Sequence, residues 1–222
     1  MKKFLKIAGI GCGSLIGLFI ILSILIAIFS SSDNTENTIS NVEEKATKEV
    51  DSVQIKENIR IKDSLAIVQK EKKEKAEKDL LSFKKNVDEF KGTTFYTDKR
   101  APNYTNRNFI YPYIGQEGDR YWLRLKFQYA SDDWLFIERG ILLIDGEQFT
   151  ITGNWERDNN SEIWEWLDMQ VGSEERMILD KIANSKSAKV RYEGRQYYKD
   201  RTLTSKEKSI IKKTLEIYDG VK

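Results

Sequence analysis

The feature that most constrains the fold of this chain is an uninterrupted apolar run close to its first residue. Residues 7–29 read IAGIGCGSLIGLFIILSILIAIF and contain no charged side chain. About 20 apolar residues are enough to cross the hydrocarbon core of a bilayer as a helix. In lipid the backbone must satisfy its own hydrogen bonds, which favours a helix. The run therefore predicts a transmembrane anchor, with the lipid bilayer as the partner of residues 7–29.

The charges that flank this run predict its orientation. Three lysines precede it, whereas the first charged residues after it are acidic. The positive-inside rule then predicts a single-pass protein of the cell membrane with a cytoplasmic N-terminus and residues 32–222 extracytoplasmic. A cleaved signal peptide is the alternative, because Ser30 and Ser32 are small residues. Its apolar region, however, spans only about 7 to 15 residues.

Aromatic content divides the rest of the chain. Residues 92–222 hold 20 of the 25 aromatic side chains and equal numbers of acidic and basic residues. A core forms only where large apolar side chains are available for burial. The sequence therefore predicts three parts: a cytoplasmic tip with the transmembrane anchor (1–31), a polar linker with a helical stalk (32–91), and a β-rich globular domain (92–222).

Composition also excludes several classes of site. The chain has no histidine and a single cysteine, Cys12. This excludes His-based catalysis, His metal sites, an internal disulfide and a Cys-based zinc site. We therefore expect no metal and no cofactor. The balanced charge leaves no basic patch, so nucleic acid is not expected as a partner.

The stalk is predicted as one long charged helix, because residues 43–91 lack Gly and Pro and are rich in Glu, Lys and Ala. The C-terminal part of this helix carries an apolar stripe with helical spacing, formed by Ala76, Leu80, Phe83, Val87 and Phe90. The stripe predicts that the last four turns of the helix dock on the globular domain. Earlier apolar positions form a broken pattern that leaves a coiled-coil homo-oligomer as an alternative. Small residues at four-residue spacing offer a second route to self-association within the anchor: Gly9, Gly13 and Gly17.

Period-2 patterns dominate the globular domain. Residues 121–129 (YWLRLKFQY) alternate apolar and polar side chains, as a half-buried strand does. Similar patterns predict strands at 93–97, 108–114, 134–144, 163–171 and 187–193, with a bulge or break at Gly140 and a long hairpin loop at 153–162. The pair Asp145-Gly146 predicts a two-residue hairpin.

Two helices complete the prediction for this domain. Ser173 is expected to cap the first helix, and Thr204 with Glu207 forms a capping box for the second, which Gly220 is expected to end. The predicted fold class is α+β: an N-terminal transmembrane helix, a long charged helical stalk, and a distal, mainly antiparallel β-sandwich-like domain with two helices.

One segment carries a resemblance to known sequences. Residues 177–218 combine a helix, a Val-Arg-Tyr-Glu-Gly strand, the run Tyr197-Tyr198-Lys199-Asp200 and a capped final helix. This arrangement resembles a module of uncharacterised bacterial membrane-anchored envelope and prophage-associated proteins. The resemblance implies a bacterial origin and a fold, and it implies no activity.

A first candidate site surrounds one tryptophan-rich hairpin. Aromatic rings on a polar rim can stack on sugars or peptides, and nearby charges can supply hydrogen bonds. The candidate ligand-binding residues are Trp155, Glu156, Arg157, Trp164 and Trp166. The alternative interpretation is that the rings pack in the core. Glu165 and Asp168 do not suggest a catalytic pair, because residues three apart in a strand point to opposite faces.

A second candidate is an interface formed by tyrosines among mixed charges, a composition that suits protein contacts. Its residues are Arg191, Tyr192, Tyr197 and Tyr198. The alternative is a solvated hairpin that Asp200 or Arg201 ties to the last helix.

Together these features predict a non-catalytic, membrane-tethered extracytoplasmic binding module of a bacterial envelope, with an envelope protein as partner. The alternative is a cell-wall carbohydrate binder or hydrolase that uses the Trp155–Trp166 hairpin. A fold of this kind hosts many functions, so the prediction depends on the candidate sites rather than on the fold.

Overall fold

A computed structural model describes the backbone of residues 39–222 and the side chains of residues 58–222. Within this part of the chain, no helix combines the length and the apolar character needed to span a bilayer. The predicted anchor at 7–29, with its glycines and Cys12, lies outside the described residues. The anchor and its orientation therefore remain predictions.

The described chain is an α+β protein with three helices and ten strands in a curled antiparallel arrangement. In chain order the elements are α1 (Ile39–Leu80), β1 (Lys84–Asp88), β2 (Thr93–Thr97), β3 (Phe109–Glu117), β4 (Arg120–Ser131), β5 (Ile137–Ile144), β6 (Glu147–Thr152), β7 (Glu156–Asn159), β8 (Ile163–Gln170), α2 (Ser173–Asn184), β9 (Ala188–Gly194), β10 (Tyr198–Thr202) and α3 (Ser205–Val221). The chain separates into two units between Ile61 and Lys62, and the second unit holds every described strand.

The strands form two antiparallel sheets that share one core. A six-stranded sheet has the order β1-β2-β3-β4-β8-β7, and a four-stranded sheet has the order β10-β9-β5-β6. Leu125 and Phe127 of the first sheet belong to the same buried cluster as Leu142 and Tyr192 of the second. The Tyr192 hydroxyl donates a hydrogen bond to the backbone oxygen of Gln128 at 2.9 Å. This β-rich architecture agrees with the predicted sandwich-like domain.

Local patterns specified several elements correctly. The alternating segment 121–129 lies within β4. Its core-facing side chains are buried as predicted, namely Leu123, Leu125, Phe127 and Tyr129, while Arg124 and Lys126 are half-buried on the other face. Gln128 on that other face is also buried, which the alternation did not predict. The Asp145-Gly146 pair joins β5 to β6 in a two-residue hairpin. Both residues have positive φ, 47° and 95°, as the type I′ turn requires.

The end of the stalk differs from the prediction. Helix α1 ends at Leu80, and residues 84–88 form β1 instead of continuing the helix. Ala76, Leu80 and Phe83 are buried as expected, whereas Val87 and Phe90 are exposed. The strand forms because residues 84–88 pair along the whole of β2, which supplies hydrogen bonds that an isolated helical end lacks.

Three shorter expectations are also corrected. The predicted 153–162 loop contains β7, which pairs with β8. The irregularity in β5 falls between Ile137 and Arg139, not at Gly140, and residues 134–136 precede the strand. Gly172, not Ser173, is the N-cap of α2, and the Glu175 side chain accepts its N–H.

The last helix differs in how it ends. Gly220 was expected to end α3, but it lies inside the helix. Its lack of a side chain lets α3 pack closely against Ala76 of α1, since a Cβ on Gly220 would lie 2.3 Å from the Ala76 Cβ. The helix begins with the predicted capping box, in which the Thr204 hydroxyl accepts the Glu207 N–H.

Helix α3 also closes an open edge of the six-stranded sheet. Strand β2 pairs with β3 only at residues 114–116, so the first half of β3 has no strand partner on that side. The fully buried Glu207 accepts the Ile110 N–H at 2.8 Å and two hydrogen bonds from Arg201. A side chain of the helix therefore replaces a strand partner.

Candidate functional site

The structure divides the three tryptophans of the predicted hairpin between two environments. Trp155 is buried at 5% exposure and contacts Phe127 and Tyr192 edge-on, with ring centroids 6.3 and 5.9 Å apart. Trp164 and Trp166 are half-buried on the face of β8 that points away from the core. Trp155 thus packs in the core, while the other two rings remain accessible. A ligand-binding role for these residues stays a prediction.

Glu156 and Arg157, the charged neighbours in this hairpin, also point to opposite faces. Glu156 pairs with Trp166 across β7 and β8 and is exposed beside it. Arg157 instead donates to the Glu165 carboxylate at 3.0 Å and to the backbone oxygen of Ile137 at 3.0 Å. The structure therefore does not gather the five predicted ligand-binding residues on one surface.

Glu165 is fully buried, and its carboxylate organises the chain before β5. One oxygen accepts the N–H groups of Leu135 and Phe136, both at 2.9 Å, and the other accepts that of Ile137 at 2.8 Å. Three consecutive amides around one anion form a backbone nest. Together with Arg157 these donors occupy the carboxylate, so Glu165 is a structural anion.

This nest holds an unusual backbone conformation. Phe136 has φ of 54°, in the left-handed region that bulky side chains rarely adopt. Such a conformation costs about 1 to 2 kcal/mol and persists only where its surroundings impose it. The result is an aromatic ring left 50% exposed at the start of β5.

Further aromatic and cationic groups surround Phe136. Its ring stacks on Trp134 with centroids 5.8 Å apart and an interplanar angle of 23°, and the Arg157 guanidinium lies 5.7 Å from its centroid. The turn between β9 and β10 adjoins this loop, because a Cβ on Gly194 would lie 1.8 Å from the Leu135 oxygen.

The same turn carries Tyr197, which is 71% exposed and whose backbone oxygen accepts the Gly194 N–H. We call Trp134, Phe136, Arg157 and Tyr197 the aromatic tip.

Replacing Phe136 by glycine is expected to change the stability of the domain by less than about 1 kcal/mol. Glycine adopts positive φ without strain, which relieves about 1 to 2 kcal/mol. The loss of the half-buried ring and the greater freedom of glycine in the unfolded chain offset this gain. Thermal unfolding followed by tryptophan fluorescence measures the change, with Phe136→Ala as the control that removes the ring but keeps the strain. A clear loss of stability in the glycine variant would mean that the ring, rather than Glu165, maintains the loop.

The predicted interface residues fall into three places. Tyr197 belongs to the aromatic tip. Arg191 and Tyr198 lie on the outer face of the four-stranded sheet, where Arg191 donates two hydrogen bonds of 2.7 Å to Asp200 and lies 3.9 Å from the Tyr198 ring centroid. Tyr192 is buried, and burial raises its pKa to about 12.

The hairpin of β9 and β10 is also bonded to the last helix, as the alternative interpretation expected. Arg201 of β10 donates two hydrogen bonds to Glu207 of α3, at 3.0 and 2.7 Å. The tie does not involve Tyr197 or Tyr198, which stay exposed, so the hairpin keeps both an anchored base and an accessible end.

A second accessible surface lies on the face of the six-stranded sheet opposite the core. Strand pairing brings seven aromatic rings to this aromatic face: Phe95, Phe109, Tyr111, Tyr113, Trp122, Trp164 and Trp166. Phe95 contacts Tyr113 and Trp122 edge-on at centroid separations of 5.8 and 6.4 Å. Six of these rings are half-buried, whereas Tyr111 is covered by neighbours that include Ile210 of α3.

Asp168 organises the charges on this face. The Tyr113 hydroxyl donates to its carboxylate at 2.8 Å, and Arg124 and Lys126 approach the same carboxylate at 2.8 and 3.1 Å. Burial, followed by the Asp168 charge, raises the pKa of Tyr113, so its phenol stays protonated and donates. One carboxylate thus faces two cations.

Beside this cluster a groove of about 340 Å³ opens on the aromatic face. Tyr111, Tyr113 and Phe95 supply aromatic walls, while Lys84, Asn103 and Lys126 contribute polar groups to its lining. The Lys84 amine donates to the Asn103 side-chain oxygen at 2.8 Å. Burial raises the pKa of Tyr111 to about 12, and the Asp168 charge adds to the effect.

Sequence reasoning missed most of this site. Phe136 was expected within a strand, and positive φ at a phenylalanine has no signal in the sequence. The aromatic face did have a signal, because Phe109, Tyr111 and Tyr113 alternate with buried residues along β3. Its continuation across four strands depends on strand order, which the local patterns do not specify.

No protein-family model, no curated protein sequence and no solved structure gives a significant match to this chain.

Proposed function

We propose that the chain is a membrane-tethered, extracytoplasmic interaction module of a bacterial envelope, and that the aromatic tip contacts a protein partner. In this proposal residues 7–29 hold the module in the membrane, and residues 32–91 link that anchor to the globular domain. The module binds and does not catalyse.

The exposed, strained Phe136 is the observation that carries this proposal. The buried Glu165 carboxylate accepts three amide hydrogen bonds and so fixes the conformation of the loop. In that conformation the Phe136 ring is accessible to solvent. Backbone strain of this kind concentrates at ligand clamps and other functional sites. The loop therefore supports a role in binding better than a role in packing.

The composition of the aromatic tip supports a protein as the partner. Trp, Tyr and Arg are the residues most enriched among those that dominate the binding energy of protein interfaces. Phe136 and Tyr197 are already exposed, and Trp134 together with Arg157 limits the freedom of the Phe136 ring. A pre-organised ring loses less conformational entropy on binding.

Carbohydrate binding by the Trp155–Trp166 hairpin is the second candidate. Trp164 and Trp166 favour it, because both rings lie on the aromatic face with exposed polar neighbours such as Glu156. This candidate predicts that Trp166→Ala abolishes binding to insoluble cell-wall polysaccharide while the fold survives. The protein-partner proposal predicts no polysaccharide binding that depends on Trp166.

Photo-cross-linking from the aromatic tip tests the first proposal. A photoreactive amino acid in place of Tyr197, in the full-length chain in native membranes, is expected to give one discrete cross-linked species. The matched control is the same replacement of Tyr104, which is 77% exposed in the loop between β2 and β3. Equal products from both positions, or none from Tyr197, would contradict a specific partner at the tip.

A further inference from the structure

We infer that the groove on the aromatic face binds a polysaccharide whose sugar rings carry carboxylate groups. This site is separate from the aromatic tip, and it goes beyond the proposed protein interaction. The inference depends on three properties of the groove: its aromatic walls, its uncompensated positive charge and its position on a sheet face.

The aromatic walls suit the apolar face of a sugar ring. Phe95 and Tyr113 are half-buried, so part of each ring faces the groove. The C–H groups on one face of a pyranose carry partial positive charge and complement the negative face of an aromatic ring. The volume of about 340 Å³ falls within the range of small-ligand pockets, roughly 300 to 1,000 Å³.

The charges around the groove leave an excess of positive charge. The Arg100 guanidinium forms an ion pair with the Asp98 carboxylate at 2.7 Å, so these two charges cancel. Burial raises the pKa of Asp98, but the hydrogen bonds and the charge of Arg100 outweigh burial and lower it. The Asp168 carboxylate is shared by Arg124 and Lys126, which leaves one positive charge there.

Lys84 adds a second positive charge, because its hydrogen-bond partner is the neutral amide of Asn103. Charge complementarity therefore calls for an anionic ligand. A carboxylate attached directly to a sugar ring places that charge at the edge of the ring that stacks, and the groove lining offers Lys84 and Lys126 as cationic groups.

The position of the groove favours a glycan over a peptide. Its lining consists of side chains from β1, β2, β3 and β4 together with the 98–103 segment. The lining residues of these strands lie on the outward face of the sheet, and the free strand edge of β1 is at the margin of the sheet rather than on that face. An extended peptide that adds to a sheet needs a free strand edge. Sugar hydroxyls, in contrast, can bond to the amide and amine side chains present.

Titration of the full-length chain in detergent with tetragalacturonate tests the inference. The neutral probe is an oligosaccharide of equal length without carboxylates. We expect binding of the charged probe only, weakened by added salt because the lysines are partly exposed. Lys84→Gln is expected to lower the affinity roughly two- to fivefold, as the loss of one solvent-exposed ion pair does.

Lys85→Gln is the matched control, because Lys85 is the next residue of β1 and points to the other face. Four outcomes would overturn the inference: equal binding of the neutral probe, no binding of the charged probe, an equal effect of Lys85→Gln, or tighter binding of poly-glutamate or of a phosphate-bearing polymer. Cross-linking from Tyr197 in the Lys84→Gln variant separates this site from the tip, since the variant should leave tip capture unchanged.

Discussion

Replacing Glu165 by glutamine is expected to destabilise the domain by about 3 to 5 kcal/mol, the range found when one partner of a buried ion pair is removed. The amide keeps one acceptor oxygen and places a donor where the other oxygen accepts the Ile137 N–H and Arg157. Two donors then face each other in a buried site. A typical domain has only about 5 to 15 kcal/mol of stability, so the loss is a large part of the total.

Urea unfolding of the full-length chain in detergent, followed by tryptophan fluorescence, measures the effect of Glu165→Gln. The control is Glu162→Gln, an exposed glutamate in the same hairpin, which should change the free energy of unfolding by less than about 0.5 kcal/mol. A loss below about 1 kcal/mol in the Glu165 variant would show that the nest does not maintain the loop.

Replacing Glu207 by glutamine is expected to have the second-largest effect, a loss of about 3 kcal/mol or more. Its carboxylate accepts the Ile110 N–H, the Thr204 N–H and two bonds from Arg201, so it joins β3, β10 and α3. The substitution weakens the helix cap and leaves the half-buried guanidinium of Arg201 without its anion. We expect the thermal midpoint to fall by roughly 10 °C.

Glu216→Gln is the control for Glu207, because Glu216 lies in the same helix but is exposed. Hydrogen exchange adds a local test: the Ile110 amide should lose protection in the Glu207 variant more than amides in the middle of β4. Uniform loss of protection would indicate global destabilisation and no special role at the β3 edge.

The elements that the sequence predicted well are those whose signals are local. Alternation in β4, the Asp145-Gly146 turn and the Thr204–Glu207 capping box each depend on residues within a few positions of one another. The sequence predicted a helix past Leu80 because the residues there have good helix propensity. The same residues form a strand in the structure because β2 is available to pair with them.

The candidate site was less predictable because it depends on contacts between distant segments. Glu165 and the 135–137 amides are about 30 positions apart, and neither segment alone indicates that they meet. The seven rings of the aromatic face converge only when β2, β3, β4 and β8 are placed side by side. The sequence predicted each of these four strands, whereas it did not predict the order in which they pair.

The most direct test of the central claim compares tip-mediated capture in wild type and Phe136→Gly. Both full-length chains carry the photoreactive group at position 197, and the thermal midpoint of each is measured in parallel. We expect Phe136→Gly to be about as stable as wild type yet to lose most of the cross-linked product, since the loss of an interface anchor costs about 2 kcal/mol or more of binding. Undiminished capture by a stable Phe136→Gly variant would contradict the claim that the strained ring is held exposed for a partner.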